Sequence, residues 1–180
     1  MRMIGDRIIL REFRQEDITP MRSWVTDNAV TDMLSGIFLR PQTWEDTESY
    51  LSGILNGNAG GYNFVIADKE SLRYLGQCNL LMVDQLSRNA EMAIVLPSEN
   101  HGKGYGPEAI RLLLDFAFNH ANLHKVYLEV WSDNAKAIKA YEKVGFRKEG
   151  VRREAGFRNG GYCDKIEMGI LDREFNSDRK

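Results

Sequence analysis

The residues best placed to do chemistry begin with His101-Gly102-Lys103-Gly104-Tyr105-Gly106-Pro107, a glycine-dense turn. Closely spaced glycines allow positive φ and let several N–H groups converge on one anion with no Cβ in the way. A helix after the turn adds its own free N–H groups and the positive end of its dipole, so the chemistry on offer is phosphate binding. Just upstream, Glu91 stands in a short apolar run, Glu91-Met92-Ala93-Ile94-Val95-Leu96, where a carboxylate could act as a general base directly or through water. Downstream, positions 134, 137, 138 and 141 share one helical face, so Asn134 and Tyr141 look in one direction, about 10 Å apart at the usual rise. The plainer alternatives are a helix cap for Asn134, an amphipathic core residue for Tyr141, a solvent-facing strand residue for Glu91 and an ordinary connection for the turn.

Spacing separates the kinds of phosphate loop. A nucleoside-triphosphate loop ends in Gly-Lys-Ser/Thr, and here Lys103 is followed by Gly104, so that reading fails. A dinucleotide fingerprint needs Gly-x-Gly-x-x-Gly on an opening βαβ unit. This chain has Gly102-x-Gly104-x-Gly106 after about half its length, which makes that reading a runner-up, supported by Asp133 near the end of the next strand. His101, His120 and His124 read as surface residues or caps, and no Ser-His-Asp, Cys-His or metal-ligand constellation can be assembled.

The elements that must position these residues follow from periodicity and punctuation. A strand is predicted near Arg7 to Glu12, helices near Glu16 to Asp27 and Trp44 to Leu55, and strands near Tyr62 to Asp68 and Tyr74 to Val83. Next come a strand near Ala90 to Leu96, ended by Pro97, and a helix from Pro107 to His120 with Ile110, Leu113, Leu114 and Ala117 at helical spacing. A strand Lys125 to Trp131 leads to a helix Asn134 to Val144, which Gly145 stops. Strands near Phe146 to Arg153 and Asp164 to Leu171 close the chain around a turn at Asn159-Gly160-Gly161. The sum is a mixed α/β layer fold with antiparallel hairpins.

Composition bounds the rest. Hydrophobic content of 43% and charged content of 28% over 180 residues suit one soluble domain. Asp6 and Arg7 interrupt any secretory h-region, and Arg111 and Asp115 break the most apolar helix, so neither a leader nor a membrane span is expected. Cys78 and Cys163, far apart and outside metal-ligand spacing, fit reduced thiols and a cytoplasmic location. The net charge of −2 hides an asymmetry: eight acids stand against three bases from Glu12 to Glu48, and eight bases against three acids from Lys136 to Arg158. These are either solvated faces or one end for cations and one for anions. Nucleic acid is not implied.

The loop at 101–106 with its helix, the strand Lys125 to Trp131, and then Asn134, Ala137, Ile138, Tyr141, Gly145 and Phe146 together resemble the GNAT-type N-acetyltransferase superfamily. The stretch Arg153-Glu154 through Gly161-Tyr162-Cys163-Asp164, with the opening Ile9-Leu10-Arg11 and a following Asp17, is similar more narrowly to its RimJ/RimL branch. The resemblance spans roughly Arg7 to Leu171 and implies a central mixed, mostly antiparallel sheet with helices on both faces and a V-shaped splay between the two middle strands. It makes residues 1–180 one domain, with acceptor-side helices over 13–60, an acetyl-CoA-binding core over 88–146 and a C-terminal hairpin over 147–172.

By the same resemblance the co-substrate is acetyl-CoA, held by Ile94, Val95, Leu96, His101, Gly102, Lys103, Gly104, Tyr105, Gly106, Asn134, Ala137, Tyr141 and Lys143, with no metal. Tyr141 would protonate the departing thiolate and Glu91 would help to deprotonate the amine. The branch makes a protein N-terminal α-amine the first acceptor, with a polyamine, diamine or aminoglycoside as the alternative. A catalytically silent acyl-CoA sensor is the reading from another class, and a homodimer is left open. The chain departs from the family at His101, where Gln or Arg is usual. It departs again at Leu34-Ser35-Gly36-Ile37-Phe38-Leu39, where polyamine acetyltransferases carry an aromatic-acidic segment, which argues against spermidine.

Overall fold

A computed structural model describes residues 2–34 and 36–177. Among the described residues the sheet has eight strands: β1 (Met3–Ile4), β2 (Ile8–Arg11), β3 (Tyr62–Asp68), β4 (Tyr74–Asp84), β5 (Asn89–Val95), β6 (Lys125–Trp131), β7 (Arg147–Arg158) and β8 (Gly161–Leu171). Their order is β1-β2-β3-β4-β5-β6-β8-β7, mostly antiparallel. Among the described residues six helices accompany them: α1 (Ile18–Val25), α2 (Asn28–Thr31), α3 (Trp44–Leu55), α4 (Tyr105–Asn119), α5 (Ala135–Val144) and α6 (Asp172–Ser177). The chain divides into two compact units, one of residues up to 81 with 93–113, the other of 82–92 with 114 onward.

In the first unit β2 is buried throughout, and its backbone pairs on both edges, with β1 and in the register Ile8↔Asp68 to Arg11↔Val65 with β3. Its one charge, Arg11, donates from Nη1 and Nη2 to the Asp17 carboxylate at 2.9 and 2.8 Å, both side chains 2% exposed. A buried guanidinium needs such a fork-to-fork partner. Asp17 also accepts from Arg14 N at 2.8 Å, so the helix predicted over 16–27 opens as a 3-10 turn, Gln15–Asp17. It breaks again at Asp27, whose Oδ1 caps the short α2 by accepting from Ala29 N at 2.9 Å. α3 keeps its predicted bounds because Thr43 and Asp46 close a reciprocal capping box at 3.1 and 2.8 Å. Trp24, Met21 and Leu51 from these helices pack with Ile9, Val65 and Tyr74 of the strands into the core of this unit.

In the second unit β6 alternates: Val126, Leu128 and Val130 are buried, while Lys125, Tyr127, Glu129 and Trp131 look the other way. It pairs antiparallel with β8 over its whole length, from Lys125↔Leu171 to Trp131↔Lys165. Its parallel pairing with β5 covers Asn89↔Lys125 to Glu91↔Tyr127, and β6 runs on past that point to Trp131. The β7–β8 hairpin is longer than predicted. Arg158 pairs with Gly161, so only Asn159 (φ 50°) and Gly160 (φ 82°) make the turn, the two-residue Asn-Gly hairpin that wants positive φ at both positions. A bulge between Arg152 and Gly156, where Glu154 N donates to Asp164 Oδ1 at 2.7 Å, falls where the predicted first strand ends at Arg153. Both cysteines are free, and among the described residues no helix is long and apolar enough to cross a membrane.

Candidate active site

The glycine turn is a strand-to-helix connection, with one difference from the sequence reading. α4 begins at Tyr105, so Gly106 and Pro107 already lie in its first turn, where N–H groups have no partner within the helix. Gly102 (φ 74°) and Gly104 (φ 83°) are left-handed; Gly106 is not. His101 turns its ring back onto the end of β5, with Nε2 2.9 Å from the Leu96 carbonyl. That oxygen can only accept, so Nε2 carries the proton. Asn100, buried, anchors the approach to the turn by donating to the Leu75 carbonyl at 2.9 Å. Ile94, Val95 and Leu96 are half-buried, and Val95 packs on the core of the first unit; Lys103 is exposed. Gly76 on β4 lets β5 come close, since a Cβ there would meet the Val95 carbonyl at 2.4 Å.

One residue here escaped the sequence reading. Arg7 donates from Nη1 to the Lys103 carbonyl at 2.8 Å and from Nε to Glu108 Oε2 at 3.1 Å, and its guanidinium lies 5.3 Å from the centroid of the Tyr105 ring. Glu108 Oε1 accepts from the Arg7 and Ile8 N–H groups at 2.9 and 3.3 Å. Burial would raise the Glu108 carboxyl, but those N–H groups and the guanidinium together hold it below its ordinary range. Since Arg7 and Glu108 lie 101 positions apart, no local pattern signals the pair.

Glu91 lies on the second unit, half-buried and opposite Tyr127 in the parallel register. Glu129, two residues along from Tyr127, shares that face. It accepts from Lys165 Nζ at 2.8 Å and from Arg152 Nη1, and the Lys165 ammonium sits 4.9 Å over the Trp131 ring. No hydrogen bond or ion pair holds Glu91 among the described residues. Burial first, then the Glu129 charge, raise its carboxyl above the usual range, and Lys165 opposes them. A half-buried carboxylate of raised pKa with unoccupied oxygens is a proton acceptor in waiting.

Asn134 is the N-cap of α5, its Oδ1 accepting from Ala137 N at 3.2 Å. The plain cap reading thus describes its oxygen, and its amide N–H₂ is left to donate elsewhere. Tyr141 is half-buried, its ring tilted against Phe146 with centroids 5.9 Å apart. Its hydroxyl makes no hydrogen bond among the described residues, and burial pushes it up to about 12. Lys143 is exposed in the last turn of the helix, which Gly145 ends at φ 109°. His120 stacks on Phe116, and His124 Nδ1 lies 3.3 Å from Asp172 Oδ1; both are at the surface, as expected.

Within their own units the structure thus places a glycine turn with free N–H groups, a half-buried carboxylate and a protonated phenol. The family profile described as an acetyltransferase (GNAT) domain matches residues 7–147. The chain belongs to the GNAT acetyltransferase family. It is therefore an acetyl-CoA-dependent N-acetyltransferase by family. Spermidine N(1)-acetyltransferase of Vibrio cholerae is 34% identical to it over 134 residues, 74% of this chain and 76% of that protein. The enzyme of the same name from Escherichia coli K12 is 33% identical over 127 residues, 66% and 68% of the two chains. Among solved structures, the Vibrio cholerae spermidine N-acetyltransferase in complex with CoA and spermine superposes with a TM-score of 0.83 at 28% identity, covering 94% of this chain and 98% of that one.

Of the two readings of the acidic stretch, solvated faces or an end for cations, the ion pairs of this GNAT chain leave only part of it as open negative charge. Glu12 pairs with Arg2 at 2.8 Å and with Arg14, Glu16 lies 3.7 Å from Arg14, and Asp46 pairs with Arg40 at 2.9 Å. Asp17 and Asp27 serve the interior pair and the cap already described. Asp32, Glu45 and Glu48 remain exposed, with no ion pair among the described residues. The segment that departs from the polyamine pattern is a 3-10 turn, Gly36–Leu39, with Ile37 57% and Leu39 83% exposed; Ser35 lies outside the described residues.

Proposed function

We propose that this GNAT enzyme acetylates a small-molecule amine of the polyamine or diamine type. The observation that carries the reading is the agreement, over most of the chain, with spermidine N-acetyltransferases in sequence and with one of them bound to CoA and spermine in fold. In this reading residues 1–180 work as one acetyltransferase domain in the cytoplasm, where the free thiols Cys78 and Cys163 persist.

The residue roles belong to the same proposal. The Gly102–Gly106 backbone and the first turn of α4 supply N–H groups and a positive dipole end for the pyrophosphate, and the open space over Gly102 leaves a ligand room to approach. Ile94, Val95 and Leu96 line the pantetheine, with Asn134 donating its amide to the cofactor and Ala137 and Lys143 beside it. Acetyl-CoA supplies an activated acetyl thioester. An amine attacks a thioester only as free base, so Glu91 takes the ammonium proton, directly or through a water. Tyr141, which keeps its proton throughout the neutral range, gives it to the departing sulfur.

The test is thiol release from acetyl-CoA across a panel of spermidine, spermine, short diamines, an aminoglycoside and N-terminal peptides. The expected result is the highest kcat/KM with a di- or polyamine. A preference for peptide α-amines would replace this reading with the RimJ/RimL one, which rests on Arg153-Glu154 through Asp164. Coenzyme A binding without turnover of any amine would leave an acyl-CoA sensor.

A further inference from the structure

Arg7 touches three consecutive residues of the glycine loop. It donates to the Lys103 carbonyl at 2.8 Å, its Nη2 stands 2.9 Å from where a Cβ on Gly104 would be, and it lies against the Tyr105 ring. A trans peptide is planar, with its C=O and N–H pointing to opposite sides. Drawing the Lys103 carbonyl toward Arg7 therefore turns the N–H of the same peptide, that of Gly104, the other way. Glu108 presents a second problem that the guanidinium resolves. A carboxylate in the first turn of α4 competes with any anionic ligand for the dipole end. Here both its oxygens are occupied, by the N–H groups of Arg7 and Ile8 and by the Arg7 Nε.

We propose that Arg7 is a positioning residue for coenzyme A: it aims the Gly104 N–H at the pyrophosphate and keeps Glu108 from opposing it. The inference rests on the phosphate-loop reading above. A lysine at position 7 would keep the charge, but one ammonium on a flexible stem lacks the fork that reaches a carbonyl and a carboxylate together.

The experiment is calorimetric titration of coenzyme A into the wild type, Arg7→Gln and Arg7→Lys, with steady-state kinetics and thermal melts on each. Both variants should bind coenzyme A about tenfold more weakly, the worth of roughly one well-aimed hydrogen bond. The KM for acetyl-CoA should rise in step, with kcat and the KM for the amine little changed. Should Arg7→Gln fail to fold, Arg7→Lys carries the same readout. Unchanged coenzyme A affinity in a folded variant overturns the inference, as does full rescue by lysine, which would reduce Arg7 to a charge. A fall in kcat and melting temperature with both KM values unmoved would make it structural. A wild type that binds no coenzyme A fails at the earlier step and overturns the phosphate-loop reading itself.

Discussion

Tyr141 and Glu91 are each moved off their ordinary pKa by burial, and in directions that suit opposite duties. Burial disfavours the charged form of both, so the phenol holds its proton more firmly and the carboxylate accepts one more readily. Tyr141→Phe keeps the ring against Phe146 and removes no hydrogen bond, so stability and coenzyme A affinity should stay near wild type. Turnover should fall by roughly 10²–10⁴ if the hydroxyl is the acid. Near-normal kcat would leave Tyr141 a packing residue. For Glu91 the informative variable is pH. If Glu91 is the base, it is lost as pH falls through its raised pKa, so the acid limb of kcat/KM should lie above the ordinary carboxylate range, and Glu91→Gln should remove that limb. Lys165 is the cation that opposes the rise. Lys165→Met should therefore move the limb to higher pH, both by removing that charge and by leaving Glu129 with Arg152 alone. A limb that stays in place in Lys165→Met, or survives in Glu91→Gln, would assign it to another group.

Elements whose signals are local are legible in the sequence. α3 and β3 keep their predicted bounds because a capping box and an uninterrupted apolar run are written in adjacent residues. The opening helix was misread as one piece because Asp17 and Asp27 spend their side chains on backbone N–H groups that a longer helix would have left unpaired or used differently. Within the glycine loop, Gly104 and Gly106 have the same sequence signal and different structural reasons. At Gly104 the positive φ and the Arg7 guanidinium both resist a side chain, so Gly104→Val should cost fold stability as well as coenzyme A binding. At Gly106 a Cβ would meet only Leu96 Cδ1 at 3.5 Å, an ordinary contact, so Gly106→Ala should melt like the wild type. If the loop cradles pyrophosphate, that same variant should still bind coenzyme A more weakly, because the added Cβ stands beside the N–H groups of the first helical turn. Undiminished affinity in Gly106→Ala would remove that turn from the cradle. Asp17→Ala, by contrast, strands Arg11 in the interior and should destabilise the protein by about 3–5 kcal/mol in a denaturant melt.

For the molecule as a whole, what composition could not disclose was which charges are already spent. The sequence marks Glu91, the loop and Tyr141 by neighbours in the chain, whereas Arg7 meets its partners only through the packing of α4 and its loop against the start of β2, and the Glu129–Lys165–Arg152 cluster only through strand register. The acidic stretch shows the same limit from the other side. Counting eight acids against three bases suggests a strongly negative surface, yet Glu12, Glu16, Asp17, Asp27 and Asp46 are paired or capping, and Glu12 and Asp46 are held well below the ordinary carboxylate range by Arg2 and Arg40. If the acceptor is a polycation, as proposed, the exposed acids of this stretch left to attract it are Asp32, Glu45 and Glu48. Exposed charges are screened over about 10 Å at 0.1 M ionic strength, so kcat/KM for a polyamine should fall as salt rises. The triple variant Asp32→Asn, Glu45→Gln, Glu48→Gln should flatten that dependence while leaving kcat at saturating amine unchanged, because none of the three holds another residue in place. Neutralising the paired Glu16 should alter the salt dependence far less. A monoamine of similar length provides the internal comparison, since one charge feels the field less than three. A salt dependence equally steep in the triple variant would move the attraction to other carboxylates, and a flat wild-type profile would make these three an ordinary solvated surface.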